Sequence, residues 1–161
     1  MTSFWDMFVI DALLGNFDRH NGNWGFLVDT DGFSYIAPVF DCGSCLLPQA
    51  DDKVMKQVLE NADDLNARIY QFPTSAIKQD NKKINYFDFL TTCDDDNCKA
   101  ALKRVTEEID LDKIFDFIDN VEYISDLQKK FYKEYISARY DKILVFAYDN
   151  VLQQSEGISM N

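Results

Sequence analysis

Five of the six glycines in this chain fall at or before Gly43, and the sixth is Gly157. Glycine tolerates the backbone conformations of tight turns and close approaches, so the unusual geometry is expected in the first quarter of the chain. The remainder should be mostly helix. A first helix is expected over Phe4 to Leu14, where Phe4, Trp5, Phe8, Val9, Ala12 and Leu13 recur as one apolar stripe. Gly15 and Asn16 end it. A polar loop follows, then one short hairpin: a strand from Trp24 to Val28, a turn at Asp29-Thr30-Asp31-Gly32, and a second strand from Phe33 to Ala37.

Pro38 ends the hairpin, and "VFDCGSCLLP" reads as an extended loop to Pro48. A helix capped by Asp51 or Asp52 is then expected through about Asn61. Asp63 to Lys83 is weakly periodic and contains Pro73, so it reads as loop with short turns. Further helices are expected at Tyr86 to Thr92, at Cys98 to Ile109 with Asp96 or Asn97 as cap, and at Asp112 to Ile118. The longest runs from near Ser125 to about Gln153, with Phe131, Tyr135 and Tyr140 on its core side. The fold class is thus mainly α (α+β), a single domain over 1–161. Loops of chemical interest occupy 1–48, a helical subdomain 50–154, and a frayed polar tail 155–161.

At 161 residues, with 47% apolar and 14% aromatic residues, the chain is long enough for one sizeable core. No apolar run is long enough to cross a bilayer. Asp6 and Asp11 interrupt Phe4 to Leu14, with no basic residues before it, so that segment is not a secretory signal and a cytoplasmic protein is expected. The net charge is −12, from 28 acidic and 16 basic side chains, which argues against a direct nucleic-acid partner. Cys42-Gly43-Ser44-Cys45 has C-x-x-C spacing, and Cys93 with Cys98 would complete four thiols for zinc. No histidine lies near either pair, and no βαβ setting surrounds the first, so reduced, partly buried cysteines are the simpler expectation. Asp29 and Asp31 do not open an EF-hand, because Phe33 stands where the third ligand belongs. The run Asp94-Asp95-Asp96 reads as a solvated cap.

The polar loop, "GNFDRHNGNWGF", contains the chain's one histidine, His20. Four residues separate Asp18 from Asn23, and Asp41 leaves the far end of the hairpin. Because a hairpin folds back on itself, the loops before and after it lie side by side. Asp18, Asn23 and Asp41 are therefore expected near one another. An Asp that accepts a hydroxyl proton, with an Asn five positions later and a second Asp as Mg²⁺ ligands, is the arrangement of a kinase catalytic centre. Phosphoryl transfer needs mainly positioning and neutralisation of charge.

On these residues the sequence resembles the C-terminal catalytic lobe of HipA-like protein kinases. "LLGNFDRHNGNWGFLVD…YIAPVFDCGSCL" matches over roughly Phe4 to Pro48: Asn16, Asp18, His20 and Asn23 fill an N-x-D-x-H-x-x-N motif, and Pro38, Phe40 and Asp41 fill the second loop. The Asp-Arg-His order is also similar to that of phosphoinositide-3/4-kinase-like enzymes. The resemblance implies Asp18 as catalytic base, His20 beside it and the nucleotide phosphates, and Asn23 with Asp41 as Mg²⁺ ligands for bound ATP. Asn16 and Asn21 are expected to shape the loop. The resemblance also implies a protein substrate and an antitoxin-type regulator.

Nothing here resembles G-x-G-x-x-G, G-x-x-x-x-G-K-[ST] or V-A-I-K, so an N-terminal kinase lobe is expected to be missing. The chain alone, a fragment of a larger kinase or a natural remnant, is then expected to have little or no activity. Two other readings stand beside this one. The first is a phosphoinositide-type lipid or small-molecule kinase lobe, with basic residues over Lys78 to Lys83. The second is a non-catalytic protein-interaction module.

Overall fold

The first helix, α1 (Thr2–Leu14), runs through the centre of the molecule, and its sides are buried nearly all round. Met7, Phe8, Val9, Ala12 and Leu13 are sealed from water, and so is Asp11. This differs from the single stripe expected of a surface helix; a helix that is apolar on most sides belongs inside. The computed structural model describes residues 2–159, with side chains over 4–153. Around α1 stand α2 (Asp52–Glu60), α3 (Ala62–Tyr70), α4 (Tyr86–Thr92), α5 (Asp96–Glu108), α6 (Leu111–Asp119), α7 (Asp126–Arg139) and α8 (Phe146–Ser159). α1 lies along α5 and against α7.

Two small antiparallel hairpins complete the fold, which is mainly helical. β1 (Phe26–Val28) pairs with β2 (Ser34–Ile36), in the register Phe26 to Ile36 and Val28 to Ser34. Both strands are shorter than the runs expected from the sequence. The turn is built by Asp29, whose carboxylate accepts from the backbone N–H of Asp31 and Phe33, both at 2.9 Å. Gly32 completes it at φ 85°.

The second hairpin corrects the expectation of a loop over Asp63 to Lys83. α3 fills the first part, capped by Asn61, and β3 (Thr74–Gln79) and β4 (Lys82–Asn85) fill the second. The turn residues Asp80 and Asn81 are both left-handed, at φ 51° and 63°. Asp and Asn tolerate that conformation, which stands in for the glycine a hairpin turn ordinarily announces. A register shift between Thr74 and Lys78 breaks the strict alternation by which a strand is read.

Other boundaries differ by a residue or two. Asp51 caps α2 and Asp110 caps α6. Asp95, rather than Asp96 or Asn97, caps α5, accepting from Asn97 and Cys98 N–H. The long final helix is divided: α7 passes through a π-helical segment, Tyr140–Val145, into α8, which continues to Ser159. The tail expected to fray after Gln154 lies outside the residues whose side chains are described.

Apolar side chains form a large core about α1, α4, α5 and the end of α7, and a smaller one of Leu47, Met55, Val58, Phe131 and Tyr135. Among the described residues, no helix is long and apolar enough to cross a membrane.

Candidate active site

The site begins where α1 stops. Gly15 adopts φ 66°, and a Cβ there would lie 2.0 Å from the Tyr135 hydroxyl oxygen, so only glycine fits. The chain then turns on Asn16, which is buried: its amide nitrogen donates to the Asp11 carboxylate at 2.9 Å, and its Oδ1 accepts from Asp18 N–H at 3.0 Å. From the side, the Tyr86 hydroxyl donates to the Asn16 carbonyl at 2.6 Å.

Asp18 and His20 reach the surface, whereas Arg19 between them is fully buried. Its guanidinium grips the Asp11 carboxylate, with Nε at 2.8 Å and Nη2 at 3.1 Å. Its Nη1 donates to the Asn23 carbonyl at 2.6 Å and to the Phe40 carbonyl at 2.5 Å. Nη2 also reaches the Cys42 sulfur at 3.6 Å. One side chain thus joins α1, the loop before the first hairpin and the loop after it. The Asp11 carboxylate, chiefly by hydrogen bonding, raises the Arg19 pKa against the opposing effect of burial.

Arg19 therefore draws the backbone of Asn23 to that of Phe40, the residue before Asp41. Asn23 is buried, and its amide nitrogen donates to the Asp18 carbonyl at 2.9 Å. Its Oδ1 accepts no hydrogen bond, and the Asp18 and Asp41 carboxylates accept none either. Asp41 is exposed and held at φ 53°. His20 Nδ1 accepts from Gly22 N–H at 2.9 Å, which puts the proton of a neutral ring on Nε2. These are hard oxygen donors and a hydrogen-bond donor with little else to bind. Among the described residues, no three His, Cys, Asp or Glu side chains gather as a metal-binding group.

The first hairpin stands beside this site with its apolar side chains in water. Val28 is 66% and Phe33 71% exposed, and Phe26, Tyr35, Val39 and Phe40 are exposed too. Its base is anchored by Trp24, which packs against Phe4 of α1 at 4.8 Å between ring centroids.

Sequence reasoning left Arg19 without a role and treated Asp11 as a mere interruption. The signal was there: an acidic residue inside an apolar helix, eight positions before an arginine, needs a cation once buried. Nothing local announced Tyr86, which comes from α4.

No established family profile matches the chain. It is 54% identical over 154 residues to the serine/threonine-protein kinase CtkA of Helicobacter pylori. That alignment covers 94% of this chain and 47% of the kinase. The fold matches the crystal structure of a Helicobacter pylori proinflammatory kinase, CtkA, with a TM-score of 0.90 and 52% identity, over 96% of this chain and 53% of that one. The resemblance is to a protein kinase. This chain spans about half the length of the curated relative it matches. Both alignments take in nearly all of α1 to α8, well beyond the motif stretch of Phe4 to Pro48.

Proposed function

We propose that this chain is the C-terminal catalytic lobe of a HipA-like Ser/Thr protein kinase, transferring phosphoryl groups from ATP with Mg²⁺. The observation that carries this reading is the Arg19 clamp, which joins the Asp18–Asn23 loop to the Asp41 loop and leaves their acidic side chains without partners. Asp18 accepts the proton of the substrate hydroxyl. His20 offers its Nε2 proton beside the nucleotide phosphates. Asn23 Oδ1 and Asp41 hold the metal. One amide and one carboxylate suit Mg²⁺, which binds through few protein oxygens and takes the rest from phosphates and water. A metal there neutralises charge on the transferred group.

A protein substrate is favoured over a lipid one by the similarity to a serine/threonine-protein kinase. A cavity of about 430 Å³, lined by Leu47, Ala50, Val54, Arg68, Phe72 and Phe17, the residue before Asp18, offers a seat for it. The exposed apolar hairpin and the half-length match together support a further part of this reading: the catalytic unit is completed by a second lobe that covers β1 and β2 and supplies the phosphate-binding lysine. This chain alone then turns over little.

The test is a chimera joining the part of the Helicobacter kinase outside the aligned region to this chain, given radiolabelled ATP. Label should pass to Ser or Thr of a protein, and Asp18→Ala should cut the rate by about 10²–10⁴-fold. Label in a phosphoinositide would instead favour the lipid reading. Transfer indifferent to Asp18→Ala would leave the interaction module.

A further inference from the structure

The C-x-x-C pair has no part in the reading above, yet it directly follows Asp41. Cys42 is exposed and Cys45 half-buried, and both are free thiols. Cys45 N–H donates to the Cys42 carbonyl at 3.1 Å, closing a turn over Gly43 and Ser44. Such a turn holds its end Cα atoms within about 7 Å, and a disulfide spans about 4.4–6.8 Å between Cα atoms. Cys42 is also the sulfur that Arg19 Nη2 touches at 3.6 Å. The group that ties Asn23 to Phe40 is therefore in contact with the more exposed thiol of the turn.

We propose that Cys42 and Cys45 form a modification site, in which glutathione disulfide converts the two thiols to an intraloop disulfide and thereby resets the Arg19 clamp and the Asp41 loop. In the first step the Cys42 sulfur attacks glutathione disulfide; a Cys42–glutathione bond forms and one glutathione leaves, taking the Cys42 proton. In the second, the Cys45 sulfur attacks that of Cys42. The protein disulfide forms, and the second glutathione leaves with the Cys45 proton. Two protein thiols are oxidised and one glutathione disulfide is reduced to two thiols. Burial pushes the Cys45 thiol up to about 12, so the second step is the slow one near neutral pH. Bond formation does not depend on the kinase reading.

The test equilibrates the chain with glutathione buffers of rising disulfide content, quenches with acid and measures intact and peptide masses. The expected product has lost two hydrogens, its Cys42 and Cys45 joined in one peptide and its Cys93 and Cys98 still alkylated as thiols. Cys45→Ser should stop at the glutathione adduct on Cys42, and Cys42→Ser should give neither product. Amide hydrogen exchange over residues 19–24 and 40–47 should change by about threefold or more between the reduced and oxidised forms. A chain that stays fully reduced in glutathione disulfide, oxidises only at Cys93 and Cys98, or forms the bond with exchange unchanged over both segments overturns the proposal. Because every readout is mass or exchange, a failed kinase assay has no bearing on it.

Discussion

The Arg19 guanidinium and the Asp11 carboxylate meet at 2.8 Å where neither side chain sees water, and the loop carrying Asp18 hangs from that bond. Breaking such a pair from one side leaves an uncompensated buried charge, which costs about 3–5 kcal/mol. Asp11→Ala should therefore lower the unfolding free energy by that amount in urea titrations. The pair Asp11→Leu with Arg19→Met removes both charges and should regain much of the loss. It should not regain activity in the chimera, because nothing then joins Asn23 to Phe40. Recovery of stability and activity together would show that the clamp has no positioning role.

Gly15→Ala should be costly out of proportion to one methyl group. The left-handed backbone and the collision with Tyr135 together are worth about 2–4 kcal/mol, read as a lowered midpoint of thermal unfolding. Tyr135→Phe removes the nearest colliding atom, so the double variant should be less destabilised than the two single losses predict. Strict additivity would mean that the strain is all in the backbone.

Asp18→Ala and Asp41→Asn should leave unfolding within about 0.5 kcal/mol of the parent, since both carboxylates are exposed and accept no hydrogen bond. Asparagine is chosen at 41 because it tolerates φ 53°. Asn23→Ala should differ, losing about 1 kcal/mol with its bond to the Asp18 carbonyl. Thermal melts of the three variants, set beside their activities in the chimera, separate groups kept for chemistry from one that also holds the loop.

Stability should also fall in alkali, measured with the thiols kept reduced. Burial first, then the nearby Asp11 and Cys42, raises the Cys45 pKa from an ordinary 9.0 to about 12. The folded form thus retains a proton that the unfolded chain gives up above pH about 9. The favourable contribution is intact below that pH and is lost as pH rises through about 12. Cys98 and Tyr86 are shifted in the same direction, also chiefly by burial. Cys45→Ala should reduce the slope of unfolding free energy against pH in this range without abolishing it.

The helical character, the first hairpin and the helices from Tyr86 onward were legible because each is written locally, in periodicity, caps and turn residues. α3 and the second hairpin were not, since Asp80 and Asn81 do the work of glycine and the shift after Thr74 hides the alternation. At the site, spacing alone indicated that Asn23 and Asp41 would be neighbours; the structure brings the carbonyls of Asn23 and of Phe40, the residue before Asp41, to a single Arg19 nitrogen. The means of doing so was illegible. It depends on burial of Asp11, and burial on every side of α1 is decided by helices distant in the sequence.

The π-helical turn at Tyr140–Val145 carries a different kind of consequence. A π turn accommodates one residue more than an α turn, so everything beyond it is rotated by about 100° relative to an unbroken helix. Ala147, just beyond the segment, is buried in the phase that this surplus sets. Removing a single residue from the segment would regularise the helix and leave Ala147 facing inward, whereas forcing the full-length segment into an unbroken α-helix would swing Ala147 by about 100° toward solvent.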